Sequence, residues 1–343
     1  MSDSLSAWAA LARDLLALTP DFSSSSLGQP RVLDEDILQL RRRRIDSLFY
    51  LVGDPNCARQ RLYNRLWNLQ SRVLKEITSS FERCGIPHLV FKGSEFIARY
   101  FENRSIGMLY DVDILIPRNH VGEAKRTLYS VGLRQAVFDT QLNRLVDRDV
   151  GEIARLEGNH YELAPFAWLE TLSLDDDEFR EAQSYNEFPI WCHEGKAFFV
   201  VEVDVHHGVA MDLTGEEFFG RAVRSAFASS YTLSPADHLW FTLSRFYVEV
   251  GLHNKRSLRD LAYVQAMLKM DRIDWDVVIS AANDYQIKPA IFYFLTFLSS
   301  LSPDLIDSQI LKLVRPLNEP GIRDYGPMLH TLFDFTPSAL LPG

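Results

Sequence analysis

Two short runs constrain the fold of this chain more than any other feature: Leu109-Tyr110-Asp111-Val112-Asp113-Ile114-Leu115 and Val201-Glu202-Val203-Asp204-Val205-His206-His207. Both alternate apolar and polar residues, the period of a β-strand. On the first, Asp111 and Asp113 point one way while Val112, Ile114 and Ile116 point the other. On the second, Glu202, Asp204 and His206 share a face and Val201, Val203 and Val205 pack behind it. Acids are depleted in strands, so same-face acids on two strands require a cause. The chain holds five Asp-x-Asp pairs, at Asp34/Asp36, Asp111/Asp113, Asp147/Asp149, Asp175/Asp177 and Asp274/Asp276. Only the Asp111 pair is set among apolar, strand-forming residues; the others lie among polar neighbours or near helix starts, where acids are ordinary. Like charges forced together resist ionisation unless a cation compensates, and hard carboxylate oxygens suit Mg²⁺.

The segment upstream supplies a partner for that chemistry. Gly85-Ile86-Pro87 ends a helix and launches a short strand from His88 to Phe91, after which Gly93-Ser94 opens a helix through Tyr100. Gly93 permits close backbone approach, and Ser94 is placed to cap the helix. A helix N-terminus presents unpaired amides and the positive end of the macrodipole, which together attract an anion. Lys92 stands beside it, so a triphosphate fits there. A two-metal site needs a third carboxylate, with the ions roughly 3.5–4 Å apart, and Asp204 is the donor the pattern offers. His206 either orients Asp204, binds phosphate when protonated or assists proton transfer. A strand predicted over Asn159–Leu163 puts His160 and Glu162 on one face beside the site.

Composition agrees with a soluble, cytoplasmic protein: 343 residues, 47% hydrophobic and 24% charged, are enough for one large or two modest cores. No apolar run reaches the length of a membrane span, and the start lacks a basic secretory leader. Cys57, Cys84 and Cys192 are too few and too scattered for a disulfide framework or a zinc knuckle. A net charge of -10 argues against bulk nucleic acid as a partner. Punctuation divides the chain into a helix and Ser-rich linker (1–30), a helical segment packing on the core (31–85), the strand-bearing core (86–232), a helical domain (233–316) and a tail (317–343). Within these, Leu66, Val73, Ile77 and Phe81 keep helical spacing, Asn119 opens a helix that Gly132 ends, and Ile190–His193 pairs with the second acidic strand across a Glu194-Gly195-Lys196 turn. Helix starts are predicted at Ser234-Pro235 and near Asp274, and Ser302-Pro303 is read as the cap and first residue of a last short helix. If helical, Arg41-Arg42-Arg43-Arg44 covers every side of its helix. Lys255, Arg256 and Arg259 cluster at a helix start, where cations oppose the dipole; either a triphosphate is their partner, or they are solvated or pair with Asp260.

Taken in order, Arg83-Cys84-Gly85-Ile86-Pro87-His88-Leu89-Val90-Phe91-Lys92-Gly93, Asp111-Val112-Asp113, Asp204-Val205-His206 and Ser257-Leu258-Arg259-Asp260-Leu261-Ala262 resemble an uncharacterised nucleotidyltransferase family of the DNA polymerase β-like superfamily. The resemblance covers roughly residues 45–300. It implies an α+β fold: a small mixed β-sheet core with flanking N-terminal helices and a C-terminal helical bundle. It also implies Mg²⁺ (or Mn²⁺) and transfer of a nucleoside monophosphate from a nucleoside triphosphate, ATP favoured, to an unidentified acceptor, a small molecule or a peptide. On that reading Asp111, Asp113 and Asp204 are the catalytic and metal-binding residues. Lys92, Gly93, Ser94 and Lys255 bind the nucleotide, with His206 and Glu202 auxiliary. The family usually carries an Arg four residues before the first Asp, where this chain has Gly107. The alternative is a catalytically degenerate member that binds or regulates.

Overall fold

The computed structural model describes residues 7–22, 33–158, 160–210, 213–227 and 230–316. The predicted Ser23–Pro30 linker and the 317–343 tail fall outside them. Two compact units emerge, Met1–Pro55 with Pro235–Gly343, and Asn56–Ser234.

The chain starts with three helices, α1 (Ala7–Leu18), α2 (Asp34–Arg42) and α3 (Asp46–Gly53). They belong to the same unit as the C-terminal helices, whereas the next helix, α4 (Ala58–Arg83), belongs to the unit that holds the sheet and packs on β7. The arginine run does not continue as helix: α2 stops at Arg42, and Arg44 has φ 58°. Arg43 instead lies 5.0 Å over the Trp8 ring and Arg41 approaches Asp46 at 3.8 Å.

In α4 the apolar spacing does what it predicts. Leu62, Leu66, Val73, Leu74, Ile77 and Phe81 are all buried along one stripe of a 26-residue helix. After it come β1 (Leu89–Phe91), α5 (Gly93–Tyr100), β2 (Asp111–Leu115) and α6 (Val121–Ser130), which follows a single 3₁₀ turn at Arg118–His120. The chain continues through β3 (Ala136–Asp139), β4 (Arg144–Asp147), α7 (Val150–Glu157), β5 (Phe166–Leu172), α8 (Asp176–Tyr185), β6 (Ile190–His193), β7 (Lys196–His206), α9 (Glu216–Gly220), β8 (Val223–Arg224) and β9 (Tyr231–Thr232). Seven strands form one mixed sheet in the order β5-β7-β2-β1-β9-β8, with β6 also on β7; β3 and β4 make a separate ribbon. Glu194 (φ 46°) and Gly195 (φ 73°) close the β6–β7 hairpin in the left-handed conformations that match strand twist. Val112, Ile114, Val201, Val203 and Val205 are fully buried, and α4 and α5 pack on β7, β1 and β2. The opposite face is left for the acids.

Gly132 ends the turn after α6 at φ 90°, and a Cβ there would meet the Trp168 ring at 3.1 Å. Gly132→Ala is therefore expected to destabilise this unit by about 1–2 kcal/mol, read as a lower urea midpoint; an unchanged midpoint would refute the strain.

Returning to the first unit, α10 (Pro235–His253), α11 (Arg259–Met270), α12 (Trp275–Asp284), α13 (Lys288–Leu301) and α14 (Ser308–Leu313) follow, and α1 packs on α11 and α13. Asp274 caps α12 as its position suggests. The Ser302-Pro303 start is corrected: α13 runs through Leu301 and Ser302 is its C-cap, so the last helix begins at Ser308, where Asp307 accepts the Gln309 amide at 2.8 Å. Among the described residues no helix is long and apolar enough to cross a membrane.

Candidate active site

Strands β2 and β7 run parallel, with Asp111 beside Glu202, Asp113 beside Asp204 and Leu115 beside His206. Neighbouring strands lie about 4.8 Å apart, so two rows of acids become one cluster. Carboxylate oxygens of Asp111, Asp113 and Asp204 all fall within 4.8 Å of one another.

The electrostatics are uneven across that cluster. Burial by itself would push the Asp113 carboxyl up. However, Oδ1 receives the Lys92 ammonium at 2.6 Å and the His206 Nε2–H at 2.9 Å, and these hold it well below the usual carboxylate range. Asp204 has no such relief. Burial, then Asp111, Asp113, Glu202 and Glu162, push it up to about 9, and its Oδ1 has no hydrogen-bond partner among the described residues. Glu202 is pushed up to about 7 by burial and by Asp111, with Arg148 opposing. Two acids that keep their protons near neutrality mark a local shortage of positive charge. An unpartnered, mostly buried carboxylate oxygen among hard oxygen donors fits a divalent cation such as Mg²⁺.

His206 is 1% exposed and stands between two acids, with Nε2 on Asp113 and Nδ1 3.2 Å from Glu162 Oε1. Burial lowers its proton affinity, as does Lys92, against the pull of both acids. Glu162 arrives there through a slip in register. Phe166 pairs with Val203, whereas Glu162 bridges to His206, one residue out of step across Ala164-Pro165, where proline supplies no amide to the ladder. The predicted strand at Asn159–Leu163 is thus corrected. Asn159 is outside the described residues, and 160–163 make a single bridge rather than a strand.

Beside the acids, β1 ends at Phe91, the residue paired with Asp113, and the chain turns at once through Lys92, Gly93 and Ser94. Lys92 takes φ 56° and ψ −142°, a sparsely populated conformation for a side-chain-bearing residue. The first helical bond of α5 is Phe96 N–H to Lys92 O, which leaves the amides of Gly93, Ser94 and Glu95 outside the helical ladder. Ser94 is not the cap expected from sequence: Lys92 occupies that position, and Ser94 lies in the first turn, 1% exposed, its Oγ without a hydrogen-bond partner among the described residues.

Lys255 lies in the other unit, in the link before α11 rather than within the helix, and pairs with Glu249 and with Asp260 at 3.1 Å. The Asp260 pairing that the sequence allowed is therefore made. Arg148 and the Lys92–Asp113 pair were missed in the sequence. Arg148 sits inside an Asp-x-Asp pair that reads as ordinary polar surface, and no local pattern reveals that its charge acts on Glu202. Gly107 has φ 117°, a conformation in which an Arg would be strained.

A mixed sheet carrying three clustered carboxylates on adjacent strands, next to a Gly-Ser turn at a helix start, is consistent with an α+β nucleotidyltransferase-like fold. The chain belongs to a family described as uncharacterised nucleotidyltransferases, whose model matches residues 58–303, well over half of its length. No curated protein and no solved structure matches it.

Proposed function

We propose that this protein transfers a nucleoside monophosphate from a nucleoside triphosphate, ATP favoured, to an acceptor hydroxyl on a small molecule or peptide. The observation that carries the reading is the convergence of Asp111, Asp113 and Asp204 oxygens within 4.8 Å. These three residues would hold Mg²⁺ or Mn²⁺, which when bound neutralises charge building on the α-phosphate and the leaving pyrophosphate. The acceptor oxygen bonds to the α-phosphorus, the bond from that phosphorus to the bridging oxygen breaks, and pyrophosphate leaves with the electron pair. Asp204, ionised once a cation replaces the proton it otherwise holds, would take the acceptor's proton. The amides of Gly93 and Ser94 grip the β and γ phosphates, and Lys92 stands beside them to balance the departing charge.

One observation favours a second reading. Lys92 already places a cation 2.6 Å from Asp113, as a nucleotide-binding module without chemistry would tolerate. Calorimetric titration of ATP with and without Mg²⁺, joined to pyrophosphate release in a mixed-acceptor extract, separates the two. Metal-dependent binding with pyrophosphate release is expected; binding indifferent to metal, with no pyrophosphate, would leave only the module.

A further inference from the structure

In-line transfer at phosphorus fixes three directions at the α-phosphate. The attacking and leaving oxygens lie on one axis, and the nucleoside 5′-oxygen projects sideways from it. In this sheet the leaving-group direction runs across the strands toward β1 and the Lys92-Gly93-Ser94 turn, because β1 flanks β2 on the side away from β7. The acceptor then comes from across β7. That leaves the nucleoside to run along the strands, toward either their ends or their starts.

The strand ends are closed. His206 fills that end of the acid face, Glu162 bridges onto it, and the Tyr161 ring lies parallel to His206 at 6.1 Å. The strand starts carry a row of half-buried rings instead. Tyr110 immediately precedes Asp111 and lies 6.0 Å from Phe188; Phe188 meets Trp191 at 5.9 Å; Trp191 stacks on Phe138 at 4.6 Å. β5 occupies one edge of β7, so β6 takes the edge that β2 uses further along and continues the line of β2 beyond Asp111. Trp191 pairs with Phe198, and Phe198 shares a face with Glu202 and Asp204 by two-residue alternation. Four residues separate Phe198 from Glu202, about 13 Å at ~3.3 Å per residue. That is comparable to the reach of a nucleoside from its 5′-phosphate to the far edge of its base.

We propose that the Tyr110–Phe188–Trp191–Phe138 row is the nucleobase site, and that it selects purine over pyrimidine nucleoside triphosphates by the area of ring it covers. Stacking on aromatic side chains accepts any base face and strengthens with overlap, so the purine triphosphates bind tighter than CTP and UTP. The inference rests on the triphosphate reading above.

The test is calorimetry on the full chain with Mg²⁺ and three probes: ATP, CTP and inorganic tripolyphosphate, the last having no base. Wild type, Phe188→Leu and Trp191→Leu are compared. Each variant should lose about tenfold or more in ATP affinity, less in CTP affinity and nothing in tripolyphosphate affinity. The tripolyphosphate result also reports that each variant remains folded. ATP affinity unchanged in both variants, with tripolyphosphate still bound, would overturn the nucleobase site and leave the triphosphate reading standing. If wild type binds neither ATP nor tripolyphosphate, both fall.

Discussion

Asp111→Asn and Asp113→Asn should each abolish nucleotidyl transfer, by about a thousandfold or more in turnover, and should separate in their effect on stability. Both remove a carboxylate from the cluster whose oxygens lie within 4.8 Å of one another. Asp111 contributes repulsion to Glu202 and Asp204, so its neutralisation relieves strain and leaves the fold as stable as before or more so. Asp113 is different because it is the acceptor for both Lys92 and His206. Its amide replacement leaves Lys92 without its carboxylate partner and should destabilise the protein by about 1–3 kcal/mol. Pyrophosphate release measures the first effect and urea denaturation the second. Turnover retained in both variants would remove the acids from the chemistry altogether.

That asymmetry was hidden in the sequence, and the reason is physical. Alternation makes same-face acids legible on one strand, so Asp111 with Asp113, and Glu202 with Asp204 and His206, could be read directly. Nothing local says that β2 and β7, some ninety residues apart, lie side by side and in register. Their adjacency rests on β7 being long enough to pair with β5 on one edge and with β6 and then β2 on the other. β5 itself, Phe166-Ala167-Trp168-Leu169-Glu170-Thr171-Leu172, is not legible because its first four residues are all apolar and show no alternation, although only Phe166 and Ala167 are buried. The β6–β7 hairpin and α4 were legible because a two-residue left-handed turn and a 3.6-residue stripe are local signals. The joining of α1 to α11 and α13 was not, since it depends on chain segments more than two hundred residues apart. Within the site, Lys92 was placed at the phosphate turn by its neighbours; its ion pair with Asp113 depends on β1 lying against β2.

The second large effect should appear without any substrate. In EDTA, the wild-type protein is expected to lose roughly 2–4 kcal/mol of stability between pH 5 and pH 8, and Asp204→Asn should remove most of that loss. In the unfolded chain a carboxyl titrates near 4. In the folded protein Asp204 is pushed up to about 9 by burial and by its acidic neighbours, so throughout this window the folded state holds a proton that the unfolded state has released. Stability falls with rising pH wherever the folded state binds more protons, by as much as about 1.4 kcal/mol per unit for one group. Glu202, pushed up to about 7 by burial and Asp111, adds to the slope in the lower part of the range. His88, His206 and His207 act in the opposite sense within the window: burial lowers their folded proton affinity, so they add stability as pH rises toward the unfolded histidine value near 6.5. Asp113 also acts in that sense, at lower pH. Its folded value lies below its unfolded one, so its stabilisation is complete above about pH 4 and is lost only under more acid conditions. Saturating Mg²⁺ should flatten the wild-type profile, because a cation held by Asp111, Asp113 and Asp204 replaces the proton and stabilises by mass action, and it should do little for Asp204→Asn. Urea denaturation at pH 5, 6, 7 and 8, in EDTA and in Mg²⁺, measures all of this. A wild-type profile in EDTA that falls no more steeply than that of Asp204→Asn would mean that the acid cluster carries no excess negative charge for a metal to neutralise.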